Sequence, residues 1–236
     1  MCAKVSETDN RLDVMNIKYS GETGDIHAHQ ARPKGSGKLP GVIVIHEIWG
    51  LNSHIEDVAR RIALEGFLVI APNALSPLGG TPDDLDEARS MMQKLDSQRT
   101  IKNFVAAVKY LQTRPQSTGK VGVTGFCWGG GLTNQVAVNS DVQAAVPFYG
   151  MQPQPKDVSK IKASLLVHYA EDDERINVGI PVFEAELKKA DVDYEIHMYE
   201  GAKHGFFNDT SPRYHEAASK LAWKRTIDFF NEKLKN

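Results

Sequence analysis

The segment Val121-Gly122-Val123-Thr124-Gly125-Phe126-Cys127-Trp128-Gly129-Gly130-Gly131 constrains this chain more than any other. A β-branched run enters a G-x-C-x-G turn, and the residues that follow fit the start of a helix. That is a nucleophile elbow with sulfur in place of oxygen. The turn is so tight that the positions two before and two after the nucleophile must lack bulk, which accounts for Gly125 and Gly129. With 2 cysteines and 19 glycines in 236 residues, chance supplies about 2 × (19/236)², or ~0.013, such matches, so the motif is specific. A helix N-terminus also favours the thiolate, because its N–H groups and dipole stabilise negative charge. The plain alternative is a buried structural cysteine beside packing glycines.

An elbow needs a sheet to carry it. Residues 41–46 form a continuous β-branched run, the mark of a strand buried on both faces of a parallel sheet. Residues 67–71, 121–124 and 164–168 resemble it, with 144–148 and 194–198 as weaker strands. Amphipathic helix patterns alternate with them at 53–64, 101–112, 130–138, 178–190 and within 212–234. A hairpin of residues 14–19 and 25–32 comes first, followed by a Gly/Pro/Lys loop over 33–40. The alternation predicts an α/β fold of right-handed crossovers, a mostly parallel central sheet with helices on both faces. We expect one domain over residues 1–236, with 1–13 as a flexible N-terminal segment. Ligands in such sheets bind at the carboxyl ends of the strands.

Charge narrows the partners. Lys and Arg number 28 against 30 Asp and Glu, so no positive field exists to hold nucleic acid or anionic lipid. Hydrophobic residues at 41% and charged ones at 25% suit a packed globular protein. No apolar run approaches the ~18 residues of a membrane helix. Residues 1–13 carry Lys4, Glu7, Asp9, Arg11 and Asp13 with no apolar stretch, so we expect no secretory signal and a cytoplasmic protein. Cys2 and Cys127 could form at most one bridge, which excludes a disulfide scaffold. Balanced charge and short loops make a monomer the expected state.

A thiol nucleophile requires a base, and His204 stands in a Gly-flanked loop after the last strand and before the final helix. His27, His29, His54, His168, His197 and His215 fall within predicted strands or helices, and His46, ending a strand beside Glu47, is a minor candidate. The orienting acid should lie between nucleophile and base, where Glu171-Asp172-Asp173-Glu174 offers four carboxylates that spacing alone does not separate. The order nucleophile, acid, base is that of the α/β-hydrolase fold. The oxyanion donors would be the N–H of Trp128 and, from the loop after the first buried strand, the N–H of Ile48. Trp49, Phe206 and Phe207 are expected to line an aromatic pocket, although core packing would account for some of them as well. Metal-ligand spacing and phosphate-cradling glycine loops are both missing, so no cofactor or metal is expected.

These residues resemble the dienelactone hydrolase family of carboxymethylenebutenolidases. The motifs that carry the likeness are His46-Glu47-Ile48-Trp49-Gly50, Gly125-Phe126-Cys127-Trp128-Gly129-Gly130, Asp172-Asp173 and Gly201-Ala202-Lys203-His204. The resemblance implies that Cys127 attacks an ester or enol-lactone carbonyl, that His204 is the base, and that Asp173 is the acid. It also implies that Glu47 contacts the resting thiol and yields it as a thiolate when substrate binds. The family's carboxylate-holding arginines fall here on Asn208 and about Pro77, so an anionic dienelactone loses its clamp unless Arg89, Arg175, Lys203 or Arg213 replaces it. The expectation is a cysteine-dependent carboxylic-ester or lactone hydrolase acting on a small molecule through a thioester. The alternative is a non-catalytic binding or sensing protein on the same fold.

Overall fold

The computed structural model describes residues 4–236, so Cys2 lies outside the described residues. The described residues form two compact units, one ending at Val121 and one running from Gly122 to Asn236.

In the first unit, β1 (Leu12–Gly21) and β2 (Gly24–Pro33) form the expected hairpin, paired from Leu12↔Pro33 to Gly21↔Gly24. Gly24 turns it at φ 108°, where a side chain would be strained. β2 pairs antiparallel with β4 (Leu68–Pro72), which pairs parallel with β3 (Leu39–Ile45), giving the order β1-β2-β4-β3. Val42, Ile43, Val44 and Ile45 are all 0% exposed, as a strand covered on both sides requires. α1 (Ser53–Leu64) packs on β2 and β4, its first turn closed by the Asn52 side chain, which accepts the Ile55 N–H at 3.2 Å.

Two helices differ from expectation because caps, not apolar spacing, mark them. α2 (Leu85–Met92) is short and mostly exposed, and its signature is Asp84 accepting the Glu87 N–H at 2.7 Å. α3 (Ser97–Gln112) starts at an Asp96 cap rather than at residue 101. The N-terminal segment expected to be flexible is docked on α1 from Val5 onward. The Val5 N–H donates to Asp57 at 2.7 Å, and its carbonyl accepts from Arg60 at 2.8 Å.

β5 (Ser117–Phe126) runs across the boundary into the second unit. There β5, β6 (Ala144–Phe148), β7 (Ser164–Asp172) and β8 (Tyr194–Lys203) are parallel neighbours in chain order. α4 (Trp128–Asn139) packs on β6, and α7 (Glu216–Lys235) packs on β6, β7 and β8. A Cβ on Gly122 would lie 2.8 Å from the Phe230 ring, so β5 meets α7 with no side chain between them. The helix expected over 178–190 is α6 (Ile180–Lys189), which begins with a proline in its first turn, and the short α5 (Glu174–Asn177) precedes it. The four strands deliver Cys127, Tyr149, Asp173 and His204 at or just beyond their carboxyl ends. Among the described residues, no helix is long and apolar enough to cross a membrane.

Candidate active site

Cys127 joins β5 to α4 with φ 57° and ψ −114°. For a residue with a side chain this conformation costs about 1–3 kcal/mol and persists only where its surroundings impose it. Here they do. The Cys127 N–H donates to the Phe148 carbonyl at 3.1 Å, and its own carbonyl accepts the Gly131 N–H at 3.1 Å. A Cβ on Gly125 would lie 2.3 Å from the Gly129 carbonyl oxygen, and one on Gly130 would lie 2.3 Å from that of Phe148. Bare backbone therefore presses on bare backbone across the elbow. Cys127 is a free, half-buried thiol, and Trp128 opens α4 directly after it.

The four carboxylates after β7 have separate fates. β7 and β8 run in register to Ala170↔Tyr199, and the next pair is Asp172↔Lys203, so an irregularity falls just before the residues of interest. Glu171 pins it by accepting the Gly201 N–H at 2.8 Å, with Gly201 at φ 64°. Asp172 and Glu174 are exposed. Asp173 alone is buried, at 7% exposure, and its Oδ2 lies 2.5 Å from Nδ1 of His204. The structure thus brings Asp173 and His204 together across 31 residues.

Asp173 and Cys127 both act on the charge of His204. Burial works against a charged imidazole, but the bond to Asp173 and the nearby Cys127 sulfur outweigh it and push His204 up to about 9. Nε2 is buried and is not engaged by Asp173.

Tyr149, which the sequence reading does not single out, completes the surroundings of His204. It follows β6 at φ 37°, is 1% exposed, and its ring centre lies 5.0 Å from that of His204. Phe206 and Phe207, expected to line a pocket, are instead 0% and 1% exposed. Phe207 stacks on Phe126 at 5.0 Å, and Phe206 meets Tyr149 edge to face at 5.4 Å. Their rings are part of the core beneath the site.

In the first unit, Glu47 is 7% exposed, and Ile48 and Trp49 are half-buried in the loop after β3. His46 does not have a nitrogen to spare for catalysis. Its Nδ1 donates to the Glu47 carbonyl at 2.6 Å, and its Nε2 accepts the Ala74 N–H at 3.1 Å. In the second unit, Asn208 is 8% exposed and its Oδ1 accepts from the Thr210 N–H at 3.0 Å and hydroxyl at 2.6 Å. Arg175, Lys203 and Arg213 are exposed, as is Arg89 on α2. Among the described residues, no group of three His, Cys, Asp or Glu side chains is placed to hold a metal ion.

Comparison with known proteins agrees with this fold. The model of the dienelactone hydrolase family matches residues 26–234. A protein of Saccharolobus solfataricus named "Putative carboxymethylenebutenolidase" is 33% identical over 251 residues, covering 90% of this chain and 96% of that one. The crystal structure of a "Putative Dienelactone Hydrolase" from Klebsiella pneumoniae superposes with a TM-score of 0.86 at 28% identity, covering 94% of this chain and 100% of that one. The acylaminoacyl peptidase of Pyrococcus horikoshii shares only the fold, with a TM-score of 0.74 at 16% identity over 96% of this chain and 43% of that one. The fold is that of the α/β hydrolases, and the chain belongs to the dienelactone hydrolase family as a hydrolase of that type.

Proposed function

We propose that the protein hydrolyses carboxylic esters or lactones through a thioester on Cys127, with His204 as base and acid and Asp173 as its orienting carboxylate. One observation carries this reading: Asp173 engages Nδ1 of His204, which leaves Nε2 to exchange protons, and the Cys127 sulfur is among the groups that favour the charged ring. The Cys127 thiolate attacks the carbonyl carbon, and the carbonyl π pair moves to oxygen. Collapse of that oxyanion expels the alkoxide, which takes a proton from the His204 imidazolium. Neutral His204 then removes a proton from water, and the hydroxide attacks the thioester. The acid departs as the thiolate and imidazolium are restored.

The oxyanion falls to N–H donors, for which we propose Trp128 and Ile48. Ile48, and Glu47 as the carboxylate that readies the thiol, rest on the loop motif and the family resemblance. Asn208 supports a substrate not gripped by a charged carboxylate clamp, since a neutral amide stands where the family resemblance places an arginine.

The test is a panel of short p-nitrophenyl esters, lactones and dienelactone assayed on wild type and Cys127→Ser. Turnover of neutral esters by wild type, lost on iodoacetamide treatment and in the serine variant, is the expected result. A chain alkylated at Cys127 that never turned over any of them is a binding or sensing protein. Preference for dienelactone by a wide margin would reverse the statement about the missing clamp.

A further inference from the structure

Residues Phe148, Tyr149 and Gly150 touch both sides of the proposed reaction. The Phe148 carbonyl accepts the Cys127 N–H at 3.1 Å. A Cβ on Gly150 would lie 2.2 Å from the Gly130 carbonyl carbon, so this segment is wedged against α4 with no slack. Between them, Tyr149 is forced to φ 37°, a conformation that tyrosine does not adopt without compensation. Its N–H is held by the His168 carbonyl at 2.7 Å. His168 is itself anchored in the core, Nε2 at 3.0 Å from the Thr226 hydroxyl and Nδ1 at 2.9 Å from that of Tyr199. The strain has a geometric result, because it sets the Tyr149 ring against the His204 imidazole, tilted by 57° at 5.0 Å.

We infer that Tyr149 is a positioning residue for His204, its ring bracing the imidazole while Phe148, one residue earlier, fixes the amide of the nucleophile. This rests on the reading of Cys127 and His204 as the reacting pair. The part of Tyr149 seen against the imidazole is its ring, which phenylalanine also carries. Asp173 holds one edge of the imidazole and leaves it free to swing about that bond, and the Tyr149 ring blocks the swing. Small misplacement of a base costs roughly 10- to 100-fold in rate.

The test compares Tyr149→Phe with Tyr149→Leu, and with Tyr149→Met should the leucine variant not fold. Two readouts are taken: kcat and KM on a neutral ester, and the pH dependence of Cys127 alkylation by iodoacetamide, followed on its own peptide so that Cys2 does not contribute. The phenylalanine variant is expected to stay within about twofold of wild type, and the aliphatic variant to lose roughly 10- to 100-fold in kcat with KM little changed. Its alkylation profile should depart from that of wild type, because the imidazole is no longer held in place. Unchanged kcat and an unchanged profile in the aliphatic variant would overturn the proposal, as would an equal loss in Tyr149→Phe. If wild type turns over no ester, the hydrolase reading falls, and the alkylation profile still decides the role of Tyr149.

Discussion

Asp173 Oδ2 lies 2.5 Å from Nδ1 of His204, and this single bond decides which ring nitrogen is left to exchange protons. A carboxylate there accepts from Nδ1–H, so Nε2 serves the sulfur and the leaving group. The same bond, together with the Cys127 sulfur, favours the charged ring, which is why His204 is pushed up to about 9 despite burial. The sign follows. A histidine raised above its usual 6.5 keeps its proton through neutral pH, so the stability it contributes is full below 6.5 and is lost as pH rises through about 9.

Rate should follow the same titration. Wild-type kcat/KM is expected to descend above a limb near pH 9, where the imidazolium needed by the leaving group disappears. Asp173→Asn, equal in shape, should lower that limb toward 6.5 and cut kcat by roughly 10³- to 10⁴-fold. Profiles measured from pH 5 to 10 on both proteins decide it. A limb that stays near 9 in the variant would remove Asp173 as its cause.

The elbow makes a prediction about space. A methyl group on Gly125 would lie 2.3 Å from the Gly129 carbonyl and 2.7 Å from the Thr133 hydroxyl, and the nearer of these is backbone. Gly125→Ala should therefore cost about 1–3 kcal/mol or more and abolish turnover, because the strand and helix that aim Cys127 must part. Gly37→Ala is the control, with nothing within 4 Å of the new atom and no positive φ. Urea unfolding of both, with ester assays, distinguishes a local clash from a general glycine effect. A Gly125→Ala protein as stable and active as the control would refute the packing described for the elbow.

What the sequence made legible, and what it did not, divides along physical lines. The run over 41–46 and the turn around Cys127 were readable because full burial and steric exclusion restrict residue type locally. The acidic quartet was not resolvable from spacing, because what separates Asp173 from its neighbours is the irregular β7–β8 pairing pinned by Glu171 and Gly201, a contact 30 residues long in sequence. Tyr149 carried no signal of its own. Its φ of 37° is imposed by Gly130, Gly150 and His168, and nothing in the residue type announces it. Phe206 and Phe207 read as pocket because they follow His204, yet their partners are the core rings of Phe126 and Tyr149. α2 had a cap but too short an apolar face to show periodicity.

His46, beside the loop of Glu47 and Ile48, gives the last prediction. Both its nitrogens serve the backbone, and because Nε2 accepts the Ala74 N–H, a proton there would set two donors against each other. Burial pushes its pKa down to about 4. A histidine depressed in this way contributes stability that is present above 6.5 and is lost as pH falls toward 4, because the unfolded chain binds the proton first. The loss amounts to about 3 kcal/mol for this residue. His29, pushed down to about 4 by burial and by Arg60, and His168, held well below 6.5 in the core, act in the same direction. Urea midpoints should therefore fall steeply between pH 6.5 and 4.5. In His46→Gln the protein should be weaker at pH 7.5 and its pH dependence shallower over that interval. A variant weakened equally at every pH would show that His46 is held by packing alone and does not titrate with unfolding.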